Sequence, residues 1–120
     1  MSINPGTIKT LIAATAVAQY RAVKFGPGDD DVAQADAVGN DLIGVNAEPA
    51  DVPAGSRIDV TLDGLVEIEA GATFARGVDL TVDAQGRAVA SGAATDAKLG
   101  KAWDAANAAG DIVRVKLNIR

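Results

Sequence analysis

The chain has 120 residues and a formal net charge of −5, and it contains neither cysteine nor histidine. These numbers indicate one domain and exclude a disulfide framework, a histidine-based catalytic triad and a nucleic-acid surface held by phosphate contacts. Because only 3% of the residues are aromatic, small aliphatic side chains fill a thin core, and burial against a partner subunit would stabilise it.

Residues 1–6 predict an N-terminal arm that precedes a single β domain at residues 7–120. Asn4-Pro5-Gly6 is a turn sequence, and nothing before it alternates as a strand does. The isolated apolar residue Ile3 and the neighbouring Pro5 are candidate contacts with a partner. We expect the arm to become ordered only on that partner, so that deleting residues 2–6 weakens attachment without unfolding the domain.

The arm resembles no signal peptide, and no apolar run is long enough to span a bilayer, which predicts a soluble chain with no membrane partner.

Residues 7–25 mix Ala with β-branched residues, and the alternation of residues 19–25 favours extended structure there. Gly26-Pro27-Gly28 ends this segment. The three aspartates that follow, residues 29–31, lack the ligand spacing of a calcium loop and are typical of a solvated turn. We expect no metal or cofactor here, and residues 32–38 predict a short strand or loop.

Residues 42–46 predict a strand, and the clearest alternation of the chain follows at residues 57–62 and 65–70. Asp63-Gly64 between them predicts a hairpin. Pairing Leu62 with Val66 keeps all apolar residues on one face, whereas a two-residue loop mixes apolar residues with glutamates. We therefore predict the longer loop, which also pairs residue 60 with 68 and residue 58 with 70.

Residues 78–82 and 87–90 predict a second hairpin around the turn Asp83-Ala84-Gln85-Gly86. Residues 99–104 and 112–119 predict the last two strands. On the final strand Arg114, Lys116 and Arg120 alternate with apolar residues, which indicates either protection of an edge strand or a docking face for an acidic partner. Trp103 is either a core residue or an anchor at a subunit contact.

Two segments repeat the same strand–turn–strand pattern. Residues 42–62 and 99–117 each contain a glycine-centred strand, an Ala-rich connector, an Ala-Gly pair and an alternating strand. Many short strands joined by Gly and Asp turns predict an all-β protein, a single small barrel or sandwich of antiparallel strands with an internal repeat. Neither copy carries a catalytic constellation, so we expect a structural or binding module and no enzyme.

The segments IDVTLDGLVEIEAGA at residues 58–72 and ARGVDLTVDAQGRAV at residues 75–89 resemble the capsid cement, or head decoration, proteins of tailed bacteriophages. The resemblance covers residues 39–119 and ends in a closing Ala-Gly-Asp-x-Val-x-Val strand. Trp103 departs from the family, which more often has an aliphatic residue there.

The resemblance implies a small β domain on the exterior of the virion that bridges major capsid protein subunits and is made in the cytoplasm of the bacterial host. On such a lattice, local three-fold axes and the low aromatic content of the chain lead us to expect a homotrimer, with a dimer as the alternative. The acidic charge predicts no nucleic-acid partner. Ile3, Pro5, Trp103, Arg114, Lys116 and Arg120 are the expected contacts with the capsid or with a neighbouring subunit. The alternative function is a small-molecule-binding or carrier β-barrel.

Overall fold

The computed structural model describes residues 4–93 and 96–119, and this part of the chain is built from strands and loops without a helix. The strands are β1 (Asn4–Pro5), β2 (Ile8–Ala13), β3 (Ala22–Phe25), β4 (Asp31–Gln34), β5 (Leu42–Asn46), β6 (Arg57–Thr61), β7 (Gly64–Glu69), β8 (Asp79–Val82), β9 (Ala88–Ala90), β10 (Gly100–Ala102) and β11 (Ile112–Leu117). Accordingly, the described residues contain no helix that could cross a membrane.

The strands form a closed barrel and a second sheet, which confirms the predicted all-β class. The barrel joins β2, β4, β3, β5 and β6, and the six-stranded sheet has the order β1-β7-β11-β10-β8-β9. Inside the barrel the alternating apolar residues of its strands form one core cluster, which includes Leu11, Val23, Val32, Ile58 and Val60. A second cluster lies under the six-stranded sheet. The barrel interior is therefore filled by side chains.

The two sheets are copies of one fold, and the repeat is longer than the sequence pattern indicates. In the first repeat (residues 7–62) β6 pairs with β2 and β5, and β3 pairs with β4 and β5. In the second repeat (residues 64–119) β11 pairs with β7 and β10, and β8 pairs with β9 and β10, in the same order. The isolated bridges Val17–Val52 and Phe74–Ala106 are equivalent as well. The chain is thus a tandem duplication of a five-stranded unit.

The second repeat does not close as the first one does, because the first repeat occupies the gap. Only a single parallel bridge, Ala70–Ala88, connects β7 with β9. Beside it the Glu69 N–H donates to the Tyr20 carbonyl at 3.0 Å, and the Ala22 N–H donates to the Gly86 carbonyl at 2.9 Å. Ala22 also joins the second core cluster together with Ala35, Leu42 and Val45 of the first repeat. One core is therefore shared between the repeats.

A polar seam follows the same junction. The Arg21 guanidinium donates from Nη2 to Glu69 Oε1 at 3.3 Å and from Nη1 to the Gln85 carbonyl at 3.2 Å. Arg87 lies 3.8 Å from the other oxygen of Glu69 and 2.9 Å from Asp83. Glu69 alternates with the buried Ile68 and Ala70 on β7 and the residue after it, a pattern that by itself is typical of a solvent-facing position. The structure instead places it between two arginines.

The predicted hairpin between residues 57–62 and 65–70 is wrong. β6 pairs with β2 and β5 in the barrel, and β7 pairs with β1 and β11 in the other sheet. The chain crosses from one sheet to the other at Leu62-Asp63, so Ile58 and Val60 enter the barrel core while the apolar residues of β7 enter the second core. The apolar residues of β6 and of β7 are therefore buried in two different cores, so they do not need to lie on one face of a shared hairpin.

The end of the arm also differs from the prediction. Asn4 and Pro5 pair with Leu65 and Gly64, which makes β1 a strand of the protein's own sheet. The Gly6 N–H donates to the Asp63 carbonyl at 3.0 Å, and the Thr7 N–H donates to the Asp63 carboxylate at 2.6 Å. These bonds hold the chain where it passes between the sheets. The remaining arm residue of interest, Ile3, lies outside the described residues.

Candidate functional site

The structure brings three of the predicted contact residues together on the outer face of the second repeat. Arg114 and Lys116 lie two residues apart on β11 and point away from the buried Val113 and Val115. Trp103 directly follows β10, and its backbone N–H donates to the Arg114 carbonyl at 3.0 Å. We refer to these three residues with Arg76 and Lys101 as the Trp103 surface. Of the other predicted contacts, Pro5 lies in β1 opposite Gly64, whereas Ile3 and Arg120 lie outside the described residues.

Trp103 is a surface residue, so the predicted role as a core residue is wrong, and the role as an anchor at a subunit contact stays a prediction. Its side chain is 40% exposed, and the Arg76 guanidinium carbon lies 5.7 Å from the centroid of the indole ring. A cation over an indole face is attracted by the ring quadrupole. The contact draws the two side chains together and leaves Trp103 partly exposed. Arg76 was missed by the sequence reasoning, since nothing in the connector before β8 indicates that it approaches Trp103.

Arg114 is held in one orientation by Asp104. Its Nε donates to Oδ2 at 2.9 Å and its Nη2 to Oδ1 at 2.8 Å, and its backbone N–H reaches Oδ2 at 3.0 Å. These hydrogen bonds from the Arg114 side chain lower the pKa of Asp104 and raise that of Arg114. Planar, bidentate pairs of this kind are among the strongest hydrogen-bonded pairs in proteins.

The cations of β11 are not explained by protection of an edge strand, because β11 lies between β7 and β10.

Lys116 and Lys101 face each other across β11 and β10. Like charges placed directly opposite in a sheet are destabilising. Asp79 relieves one of them, since Lys101 Nζ lies 2.8 Å from its carboxylate. Within the described part of the chain Lys116 and Arg76 have no ion pair. The Trp103 surface therefore presents an indole and two cations, Arg76 and Lys116, that form no ion pair within the described residues.

A groove adjoins this surface at the junction of the repeats. It encloses a volume of about 270 Å³ and is separated from Arg114 only by Glu67, which lies directly across from it on β7. Thr61 is only 3% exposed at its base, and its hydroxyl makes no hydrogen bond among the described residues. The lining residues of this junction groove are Ile8, Gln19, Tyr20, Val45, Asn46, Ala47, Glu48, Pro49, Thr61, Val66 and Glu67.

Several carboxylates elsewhere accept backbone N–H groups within turns. Asp31 accepts the Gly28 N–H at 3.2 Å in the turn after β3. No cluster of three or more His, Cys, Asp or Glu side chains that could hold a metal occurs within residues 4–93 and 96–119. The Trp103 surface and the junction groove are thus the candidate binding sites of the described residues.

A duplicated all-β unit with an exposed aromatic and cationic face has the characteristics of a protein that binds other proteins. The profile of the phage cement proteins matches residues 3–117. The chain belongs to this family, which is a family of structural phage proteins. The fold is also that of the head fiber gp8.5 N base of bacteriophage phi29, with a TM-score of 0.69 and 23% identity over 93% of both chains. A comparison with curated proteins gives no match.

Proposed function

We propose that this protein is a capsid cement protein that binds the outer surface of a phage head and bridges subunits of the major capsid protein. The observation that carries the proposal is the family match over residues 3–117, and the Trp103 surface supplies a contact with the capsid or with a neighbouring copy on it. In this proposal the protein is made in the cytoplasm of the bacterial host, and its role is structural rather than enzymatic.

The chemistry of the Trp103 surface favours an acidic partner. Trp and Arg are the side chains that most often dominate binding energy at interfaces. The indole supplies apolar area, and Arg76 and Lys116 supply positive charges that form no ion pair within the described residues. Ile3 and Pro5 of the arm and the terminal Arg120 remain proposed contacts at the ends of the chain.

We further propose a homotrimer on the capsid, with a dimer as the alternative. Local three-fold axes of an icosahedral lattice place three copies next to one another. The low aromatic content leaves a monomer with little buried area to spare. Particle density that shows isolated monomers, or copies only across two-fold axes, would contradict the trimer.

The alternative function, a small-molecule-binding or carrier β-barrel, is not favoured. A barrel that holds a ligand needs free volume inside, and here apolar side chains such as Ile58, Val60 and Val23 fill the interior. The family match points to a structural role in the phage particle as well.

The test is co-sedimentation of the purified protein with heads that lack it. We expect saturable binding at micromolar concentration and at least a tenfold loss of affinity for Trp103→Ala, because truncating an interface anchor costs roughly 2 kcal/mol or more. Phe25→Ala is the matched control, since Phe25 is an exposed aromatic residue of the other repeat. Wild-type protein that remains in the supernatant would overturn the proposal, and equal losses for both variants would exclude the Trp103 surface as the contact.

A further inference from the structure

The tandem repeat places the Trp103 surface and part of the junction groove at the same position of the fold, one in each copy. The Ala47 N–H donates to the Asp59 carbonyl just as the Trp103 N–H donates to that of Arg114. Glu48 accepts the Asp59 N–H at 3.4 Å, and Asp104 accepts the Arg114 N–H at 3.0 Å. Ala47 is therefore the counterpart of Trp103. One repeat has a recess where the other has a projecting indole.

The two positions also differ in charge. The junction groove carries the carboxylates of Glu48 from the first repeat and Glu67 from the second. Neither forms an ion pair within the described residues, and Glu67 lies across from Arg114 of its own chain. The projection in the second repeat carries Arg76 and Lys116, which are likewise without ion pairs there. Two half-buried carboxylates beside an apolar wall and two cations beside an indole are complementary in sign.

The groove has the walls that an indole requires. Ile8 and Pro49 provide exposed apolar surface, and Ile8 is 48% exposed. The Thr61 hydroxyl in the groove has no hydrogen-bond partner among the described residues, and the indole N–H of Trp103 has no acceptor there either. Because a hydroxyl oxygen accepts hydrogen bonds and an indole N–H donates them, the two groups are chemically matched partners across a contact.

From this complementarity we propose that copies of the chain associate head to tail, with the Trp103 surface of one copy seated in the junction groove of the next. The contact joins two different patches of the same chain. When each copy uses its two patches toward different neighbours, the contact is heterologous and closes into a ring if the rotation permits. The inference rests on the homotrimer of the proposed function and assigns the Trp103 surface to the contact between copies rather than to the capsid. Arg76 and Lys116 then approach Glu48 and Glu67 of the neighbouring copy.

A cysteine trap tests the contact, since the chain has no cysteine of its own. Ala47→Cys marks the groove and Ala105→Cys marks the exposed loop beside Trp103, and both leave the charged residues intact. Mixing the two variants with a short bismaleimide linker is expected to give a crosslinked dimer between positions 47 and 105, identified by peptide mapping. Ala37→Cys, exposed in the loop between β4 and β5 and outside both surfaces, is the control partner for Ala47→Cys. A 47–105 product no more abundant than the 47–37 product would overturn the contact.

A charge exchange provides the second readout. Glu48→Lys and Lys116→Glu are each expected to raise the dissociation constant for self-association about tenfold or more, and the double variant to return it to within about threefold of the wild type. Failure of the double variant to recover would contradict the pairing. Sedimentation equilibrium measures association separately from head binding: trimers without this crosslink refute the proposed contact alone, whereas unbound protein in the co-sedimentation test refutes the cement function.

Discussion

At the scale of single residues, two glycines show how precisely the repeat is preserved. A Cβ on Gly44 would collide with the Thr61 carbonyl oxygen, and a Cβ on Gly100 with the Lys116 carbonyl oxygen. Thr61 and Lys116 lie at equivalent positions of β6 and β11, each across from its own glycine-centred strand. Both glycines are therefore required by the close approach of a neighbouring backbone, which cannot move as the end of a side chain can.

Gly44→Ala and Gly100→Ala are expected to lower the free energy of unfolding by about 2 kcal/mol or more each, since forcing extra atoms into a packed site costs roughly 1–3 kcal/mol. Denaturant unfolding measures the loss. Gly39→Ala is the control, because a Cβ there meets nothing within 4 Å. Equal stability of all three variants would show that the strands separate easily at these points.

The ion pair of Asp104 predicts a dependence of stability on pH. Because hydrogen bonds from Arg114 lower the folded-state pKa of Asp104 below its ordinary 3.8, the unfolded chain binds a proton more readily there. The contribution of the pair is thus complete above pH 3.8 and is lost as the pH falls through the folded pKa. Asp104→Asn is expected to remove this part of the acid-induced loss, whereas Asp41→Asn, at an exposed site, serves as the control. An unchanged acid profile of Asp104→Asn, measured by thermal midpoints from pH 2 to 7, would contradict the assignment.

At the scale of elements, the alternation of residues 57–62 and 65–70 predicted the two strands but not their partners. Period-two alternation states which residues are buried, and Ile58, Val60, Val66 and Ile68 are indeed buried. It does not state which sheet receives them. A hairpin would pair the two strands with each other, as neighbours in sequence. Because of the tandem duplication, each strand instead has a partner within its own repeat, and β6 and β7 pair in different sheets.

The seam between the repeats was not predictable for the same reason. Arg21 and Glu69 are far apart in sequence, and neither stands in a pattern that indicates a partner. Arg21 packs with a buried Nε that has no hydrogen bond, so the seam is sensitive to the loss of its remaining contacts. The C-terminal part of each repeat was nevertheless recognisable in the sequence, as the similar segments at residues 42–62 and 99–117.

Glu69→Ala is expected to destabilise the fold by about 1–3 kcal/mol, because it leaves two largely buried arginines without their shared carboxylate. Glu67→Ala, on the same strand but outside the seam, is expected to cost less than about 1 kcal/mol. Chemical denaturation of both variants measures the difference. A smaller effect for Glu69→Ala than for Glu67→Ala would contradict the role of the seam.

At the scale of the whole molecule, the shared core predicts that both repeats unfold together. Trp103, the sole tryptophan, reports on the second repeat, whereas far-UV circular dichroism reports on all strands. We expect coincident transitions. Val23→Ala in the barrel core should shift both by the same amount, equivalent to about 2 kcal/mol. A Trp103 fluorescence transition unaffected by Val23→Ala would show that the repeats unfold independently.

The candidate surface was only partly predictable at this scale. The sequence indicated Trp103, Arg114 and Lys116, because a lone indole and alternating cations are conspicuous in an acidic, aromatic-poor chain. It gave no sign of Arg76 or of the groove, since both arise from contacts between segments distant in the chain. The charge or aromaticity of a residue can be taken from the sequence, whereas the residues that share a surface are known only once the fold is known.

The most direct test of the cement function is the stability of the head itself. Heads lacking this protein are heated with and without a saturating amount of it, and release of packaged DNA is followed with an intercalating dye. A cement protein binds the assembled lattice in preference to dissociated subunits, so it stabilises the lattice by mass action. We predict that release shifts to higher temperature with the wild type and much less with Trp103→Ala. Release at the same temperature with and without bound wild-type protein would contradict the account.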